Sequence, residues 1–387
     1  MAWHLITCEY PPDIGGISDH TAQLARGLAA AGEDVHVWCP GRLGSAGASG
    51  ADCGSHQSPR DGVRVHALMG AFGLVDLIRA GAALDAGPGP RRILVQWLPH
   101  GYGRRSLNLG FCVWVASRAR RGDQVDLVVH EPFLELAARP VRHLAMALVH
   151  RLMTVILLRA VHRVWVSTPA WESLLRPFAL GRPLEIRWLP VPGCEGMREA
   201  DALSRAAGAP RRPLVGHFGS YGALVAPLLD ERLVRVLAGA SRPDAVLVGA
   251  GSEGFAAAFL AAHPEFVGRV RASGVIAPDA VAETLASCDV LLQPYPDGIT
   301  VRRTSAMAGL AQGRPIVTTT GHLTEPSWAE QGAVALVPVL DVEGFAASAE
   351  HLLTDAEERA RLGARARTVY HAHFSVGHLV RTVLAVA

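Results

Sequence analysis

The chain has 387 residues, half of them hydrophobic, and a formal net charge of +2. That length exceeds what a single core sustains, so two domains are expected, and the near-neutral charge gives no support for a nucleic-acid partner. The sequence contains no lysine, which excludes a pyridoxal-phosphate enzyme with its Schiff-base lysine and a Walker A loop.

The first half alternates strand and helix patterns. Ala2–Cys8 reads as a strand running into the loop Glu9-Tyr-Pro-Pro-Asp-Ile-Gly-Gly16, and no charged leader precedes a hydrophobic region, so no signal peptide is expected. Ser18 is the expected N-cap of the next helix. Its positions Thr21, Leu24, Ala25, Leu28 and Ala29 share one face, and Gly32 is its stop. Further strands are expected at Val35–Cys39, Val63–Ala67, Ile93–Trp97, Val125–His130 and Arg163–Val166. Gly41–Arg60, rich in Gly, Ser and Ala, reads as a surface loop.

Between these strands, Val141–Ala160 is the most membrane-like stretch, but Arg151 and Arg159 break its apolar run below spanning length. It fits either a helix packed on the sheet or a basic amphipathic helix lying on a membrane surface.

A Pro-rich break from Pro190 to Pro213 suggests a linker, and the pattern then restarts. Strands are expected at Leu214–Phe218, Ala245–Val248, Val270–Ala272, Val290–Gln293 and Ile316–Thr319, with Gly249-Ala-Gly251 as a strand-end turn. The expected architecture is α/β, two Rossmann-like doubly wound parallel-sheet domains facing across a cleft. The boundaries expected are an N-terminal domain over 1–195, a linker over 196–212, a C-terminal domain over 213–372 and a C-terminal helix over 373–387.

Six cysteines (Cys8, Cys39, Cys53, Cys112, Cys194 and Cys288) are scattered without a C-x-x-C pair. Cys8, Cys39 and Cys288 lie in or beside apolar strands, where buried thiols are ordinary. A reduced, cytoplasmic protein is expected. No D-x-D, spaced His/Cys cluster or G-x-S-x-G elbow occurs, and His371-Ala-His373 alone is poor metal evidence.

The most informative segment runs from Tyr295 to Pro315, where a strand hands over to a short helix that stops at Gly313. Its loop carries Asp297, Gly298 and the pair Arg302 and Arg303. Ligands bind at such strand ends in parallel sheets, helix N-termini favour anions, and Arg forks suit phosphate oxygens. An Asp-Gly turn with solvated arginines fits the isolated segment equally well. Both halves also open with a strand, a Gly-bearing loop (Gly15 and Gly16; Gly219 and Ser220) and a helix, a cradle for phosphate or sugar. His100 and His130 stand at strand ends of the first half, and Glu131 follows His130; imidazoles there suit a hydroxyl-rich substrate.

The ordered segments EYPPDIGGISDHTAQLARGLAAAGEDVHVWCP, LVVHEP, VGAGSEGF, CDVLLQPYPDG and AMAGLAQGRPIVTT together resemble a GT-B glycosyltransferase of family 4 (group 1). The resemblance implies a retaining, metal-independent transferase, with a nucleotide-diphosphate sugar (a UDP- or GDP-sugar) as substrate and no further cofactor. It implies an acceptor hydroxyl on a glycan, a lipid-linked molecule or a small molecule held by the first domain, and the donor held by the second.

By position, Gly15 and Gly16 match the glycine loop near the donor phosphate, and His130 the histidine beside the transferred sugar. Asp297 and Ser305 stand where the family carries two Glu residues with seven residues between them, which contact the sugar and the ribose. The basic residues usual after the second domain's first strand are replaced by Tyr221, Gly222 and Ala223, leaving Arg302 and Arg303 to meet the diphosphate.

The expected site is therefore His130, Asp297 and Arg302 for catalysis. Gly15, Gly16, Gly219, Ser220, Gly298, Ile299, Thr300, Arg303, Thr304 and Ser305 would bind the donor, and His100 and Glu131 the acceptor; no metal is expected. Two alternatives accompany this reading: a catalytically silent homologue acting as a binding subunit, motivated by Ser305 and the missing cations, and a nucleotide-sugar epimerase of the same fold. Peripheral contact with the inner face of the membrane is a further expectation.

Overall fold

The computed structural model of the protein describes residues 1–13, 15–41, 55–57, 62–103, 106–136, 141–193 and 212–386. The chain divides into two compact units, Met1–Pro190 with Leu379–Ala387, and Val191–His378. Most of the expected linker lies outside the described residues.

Unit 1 contains β1 (Trp3–Ile6), α1 (Gly16–Ala30), β2 (Val35–Trp38), β3 (Ser55–Gln57), β4 (Val63–His66), α2 (Leu74–Asp85) and β5 (Arg92–Trp97). It continues with α3 (Leu109–Arg120), β6 (Gln124–Val129), α4 (Val141–Ala160), β7 (Arg163–Val166), α5 (Ala170–Leu175) and β8 (Glu185–Trp188). Among the described residues its sheet has eight strands in the order β3-β4-β2-β1-β5-β6-β7-β8. Only β3 runs antiparallel to its neighbour. The central strands are buried on both faces, as crossover helices require, and are largely apolar, interrupted by His4, Gln96 and Asp126. Ile6, Val95, Trp97, Leu127 and Val129 pack with Phe111 of α3 and Leu157 of α4 in one core.

Unit 2 contains β9 (Leu214–Phe218), α6 (Ala226–Ala238), β10 (Asp244–Val248), α7 (Ser252–Ala262), β11 (Val270–Ala272), α8 (Pro278–Ser287) and β12 (Val290–Gln293). There follow α9 (Thr304–Ala311), β13 (Ile316–Thr320), α10 (Ser327–Gln331), β14 (Ala335–Pro338), α11 (Val342–Thr354) and α12 (Ala356–His373). The last helix, α13 (Val376–Leu384), begins in unit 2 and from Leu379 belongs to unit 1. Among the described residues unit 2 has six strands, all parallel, in the order β11-β10-β9-β12-β13-β14. Strand order reverses between β9 and β12 here, and between β1 and β5 in unit 1. Loops at such switch points splay apart and leave a crevice at the carboxyl ends of the strands. The loops singled out in the sequence follow β1, β5, β9 and β12.

Four expectations are corrected. The first helix begins at Gly16 with Gly15 as N-cap, so Ser18 lies inside it. Its Oγ instead donates to the Asp13 carbonyl at 2.7 Å. The Gly41–Arg60 loop carries strand β3; most of the remainder lies outside the described residues. Strands β8 and β14 were not expected from the sequence. The C-terminal helix is no separate piece, since Leu379 onward groups with unit 1, where Arg163 Nη1 donates to the Val386 carbonyl at 3.1 Å.

Cys39 and Cys288 are buried thiols as their surroundings suggested, and Cys112 of α3 is buried as well. Cys8 is half-buried, and burial pushes its thiol up to about 12, so it stays protonated.

Candidate active site

The loop after β12 is fixed by bonds to β13 and the turn behind it. Tyr295 N donates to Thr319 Oγ1 at 2.7 Å, and that hydroxyl donates to the Tyr295 carbonyl at 2.6 Å. Gly298 N closes a turn on the Tyr295 carbonyl, Ile299 N bonds the Thr319 carbonyl, and Leu323 N bonds the Asp297 carbonyl. Gly298 has φ +86°, and a Cβ there would fall 2.1 Å from Thr324 Oγ1 and 2.3 Å from Gly321 N. Glycine is required both by the left-handed backbone and by this contact.

Beneath the loop lies a carboxylate missed in the sequence. Glu325 accepts from Val301 N at 3.2 Å and from Trp328 Nε1 at 3.0 Å. It is nearly buried and anchors the turn leading into α9.

The expected donor residues separate into two groups. Asp297, Arg303, Ser305 and Gly219 come together; Ile299 and Thr300 do not join them. Ile299 is wholly buried with its amide bonded to the Thr319 carbonyl, and Thr300 is buried too. Arg303, the N-cap of α9, lies over the Tyr295 ring at 4.7 Å, and its Nη2 is 3.5 Å from Asp297 Oδ2. Its buried Nε makes no hydrogen bond among the described residues. Ser305 Oγ lies 2.8 Å from the Tyr295 hydroxyl. A Cβ on Gly219 would be 3.7 Å from Ser305 Oγ and 3.8 Å from His217 Nε2.

Tyr295 and His217 thus join the site. The signal for Tyr295 was its place in the loop itself; His217 is the penultimate residue of β9 and reads from sequence as one more strand position. His217 Nδ1 donates to the Leu292 carbonyl at 2.7 Å, which leaves Nε2 as the acceptor. Burial pushes this imidazole down to about 4, so it is neutral. Arg302, Thr304 and Ser305 are half-buried, and Ser220 is exposed. The first amides of α9 have no intrahelical acceptor, and Arg302 and Arg303 immediately precede them. This end of unit 2 concentrates positive potential where an anion can approach.

In unit 1 the glycine loop has an unexpected occupant. Glu9 Oε1 accepts from Ile17 N at 3.1 Å and Ser18 N at 3.0 Å. A Cβ on Gly15 would sit 2.2 Å from that same oxygen. The cradle foreseen for a donor phosphate is therefore filled by the chain's own carboxylate, which caps α1 in place of Ser18. Replacing Glu9 by Ala is expected to destabilise unit 1 by about 1 kcal/mol, the usual cost of losing such a cap, and this is measurable as a lower urea midpoint.

His130 stands just past β6, with its amide bonded to the Trp97 carbonyl. Its carbonyl accepts from Ser167 Oγ and Trp171 Nε1. Its Nε2 lies 2.8 Å from Gln96 Oε1, and His20 of α1 meets it edge-on at 5.0 Å. Burial, then the neighbouring His20, holds His130 well below the ordinary imidazole range, so it is a neutral hydrogen-bonding group. Neither Gln96 nor His20 carried a signal in the sequence. His100 and Glu131 do come together, 3.8 Å apart and both solvent-accessible, and His100 also meets His150 of α4 at 5.3 Å.

Two doubly wound parallel units with functional loops at their switch points define the class as GT-B. Residues 215–355 match the family model described as glycosyl transferases group 1. The fold matches sucrose-phosphate synthase from Thermosynechococcus elongatus with TM-score 0.69 at 18% identity, covering 100% of both chains. It also matches Alr3699/HepE of Anabaena in complex with UDP and glucose (TM-score 0.62, 14% identity, 99% and 98% covered). A third match is alpha,alpha-trehalose 6-phosphate synthase from Burkholderia multivorans (TM-score 0.64, 14% identity, 99% and 95% covered). A search of the curated proteins finds no match. The second unit carries a group 1 glycosyl transferase domain, in a chain of GT-B fold.

Proposed function

We propose that the protein is a retaining, metal-independent glycosyltransferase that moves a hexose-like sugar from a nucleotide diphosphate to an acceptor hydroxyl. The observation that carries this reading is the loop after β12. It sets Arg302, Arg303 and the α9 N-terminus together at a switch point, beside Asp297 and Ser305. Positive charge from two guanidiniums and a helix end can stabilise the departing diphosphate, which is the work a metal would otherwise do. UDP and glucose bound to the Anabaena protein support a UDP-sugar, with a GDP-sugar as the other candidate donor.

In the step proposed, the anomeric carbon–phosphate oxygen bond breaks and a bond to the acceptor oxygen forms on the same face. The acceptor's proton passes to the departing phosphate oxygen, so no protein nucleophile is needed. Asp297 would hold sugar hydroxyls, exchanging its ion pair with Arg303 for them. Arg303 would then be released toward phosphate. Ser305 and Tyr295 would offer neutral hydroxyls where a carboxylate is usual. His130 would hydrogen-bond the sugar as a neutral imidazole, and His100 with Glu131 would bind the acceptor.

A second reading, a binding subunit without turnover, is favoured by the Asp297–Arg303 and Tyr295–Ser305 pairings, which satisfy these groups without a ligand. Calorimetric titration with UDP and GDP separates the two, together with turnover assays on UDP-, GDP- and ADP-sugars. Arg302→Ala is expected to lower turnover about 10–100-fold with an unchanged melting temperature. Full turnover in that variant would sink the assignment of Arg302, and failure of the intact chain to bind either nucleotide at millimolar concentration would sink the transferase reading.

A further inference from the structure

Unit 1 exposes an apolar surface that its own fold does not use. Of the large hydrophobic side chains that stand exposed, Leu74, Val75 and Ile78 are on α2, Leu109 and Val113 on α3, and Val141, Leu144, Leu148 and Leu152 on α4. The three helices are neighbours in one layer: α3 contacts both α2 and α4, and Gly81 of α2 lies against Trp114 of α3. On α4 the exposed positions recur every three or four residues, so they form one stripe along the helix. Leu148 and Leu152, at its middle, are 54% and 50% exposed. A monomeric soluble surface does not ordinarily gather so many large apolar groups in one place.

The charges around the stripe select its occupant. From Leu136 to Trp171 the sequence has no Asp or Glu, whereas Arg142, Arg151, Arg159 and Arg163 fall within that stretch. Arg142 and Arg159 are exposed on α4 itself. A second copy of the chain seated on this face would set these arginines against their own equivalents, with no carboxylate on either helix to pair with them. A surface of anionic lipid headgroups above an acyl layer satisfies both the arginines and the leucines.

The helix lies on such a surface rather than crossing it. It has the length and, at a mean hydropathy of 1.5, the apolarity to span, yet a third of its most apolar window is buried in unit 1. Its inner face is bonded there: His150 Nε2 to the Ser106 carbonyl at 2.8 Å, Arg151 Nη1 to the Leu134 carbonyl at 2.8 Å, and the Arg151 guanidinium over the Phe133 ring at 4.3 Å.

We propose that the outer face of α4, with the exposed residues of α2 and α3, docks on an anionic phospholipid bilayer. The inner-face bonds of α4 go to the two segments that flank His100 and Glu131, and His150 touches His100 directly. These two side chains therefore lie one helix diameter, ~10 Å, behind the docked face. Resting on the reading of His100 and Glu131 as acceptor-binding, the acceptor is a hydroxyl presented by a lipid or a lipid-linked sugar.

The test is sedimentation of the full chain with vesicles of phosphatidylglycerol and phosphatidylcholine, against phosphatidylcholine alone. Binding to the anionic vesicles is expected to be at least about fivefold tighter and to weaken in high salt. The double variant Leu148→Glu/Leu152→Glu is expected to lose binding by more than about tenfold at unchanged melting temperature. Arg142→Gln/Arg159→Gln is expected to lose the preference for anionic vesicles. No binding to anionic vesicles, or equal binding by the double-Glu variant, overturns the proposal. So does a concentration-dependent dimer in ultracentrifugation that the double-Glu variant abolishes. UDP titration of the same samples keeps the two readings apart. Nucleotide binding without vesicle binding defeats only the docking, and vesicle binding without nucleotide binding defeats only the transferase reading.

Discussion

Replacing Gly298 by Val is expected to cost unit 2 about 3–5 kcal/mol and to abolish nucleotide binding, read by thermal unfolding and by titration with UDP. The branched side chain meets Thr324 Oγ1, Gly321 N and the Thr320 carbonyl carbon within 3 Å, and two of these three atoms are backbone. Its φ of +86° is one that a β-branched residue adopts only under strain. Neither penalty relaxes locally, because the 295–303 and 319–325 segments are bonded to one another through the Asp297 carbonyl, Ile299 N and Glu325. An effect of this size falls in the exceptional tail for single substitutions and needs such a double cause. A variant with wild-type unfolding and full UDP binding would show that the loop is not locked as described.

Acidification provides the second large effect. His4 on β1 is pushed down to about 3, by burial first and then by His36, Arg91 and His66 around it, against a weaker opposing pull from Asp34. Its Nδ1 accepts from Trp38 Nε1 at 3.1 Å, a bond that exists only while that nitrogen is unprotonated. His20, wholly buried beside Gln96 and His130, is pushed down to about 4 by the same loss of solvation. In the unfolded chain both would titrate near 6.5. Above that pH neither state is protonated, so nothing is lost. Below it the unfolded state takes up protons that the folded state refuses, and stability falls with pH until the folded values are reached.

Well below pH 6.5 each histidine costs about 1.4 kcal/mol per pH unit, and the pair costs unit 1 about 3 kcal/mol between pH 6.5 and 5. Melting temperatures should fall steeply from pH 7 to 5, and less steeply in His4→Leu. A flat profile would contradict the burial of these two side chains. His36 and His66, with ring nitrogens 2.8 Å apart and both lowered chiefly by burial, act in the same direction.

What was legible in the sequence follows from what each element depends on. Central parallel strands such as β6 and β12 are buried on both faces, so their apolar runs announce them. Strands β8 and β14 are edges of their sheets. Edge strands owe their conformation to the neighbour they pair with, and Glu185-Ile-Arg-Trp188 alone says little. The first helix was legible through its apolar period, but not its cap. The bond from Glu9 reaches eight and nine residues along the chain, across a loop whose path the sequence does not specify.

The site divides in the same way. Residue types and their spacing were enough to determine two doubly wound units, and to place Asp297, Gly298, Arg302 and Arg303 at a strand end, because period and turn chemistry are local properties. Tertiary structure alone decided that Arg303 pairs with Asp297 over Tyr295, that Glu325 pins the loop from beneath, and that Glu9 fills the cradle at Gly15. It also decided that the arginines and leucines of α4 share an outer face while His150 and Arg151 hold the loops beside His100. Each of these depends on which side chains the sheets bring within a few ångströms of one another, and that proximity is a property of the packed chain, not of any stretch of it.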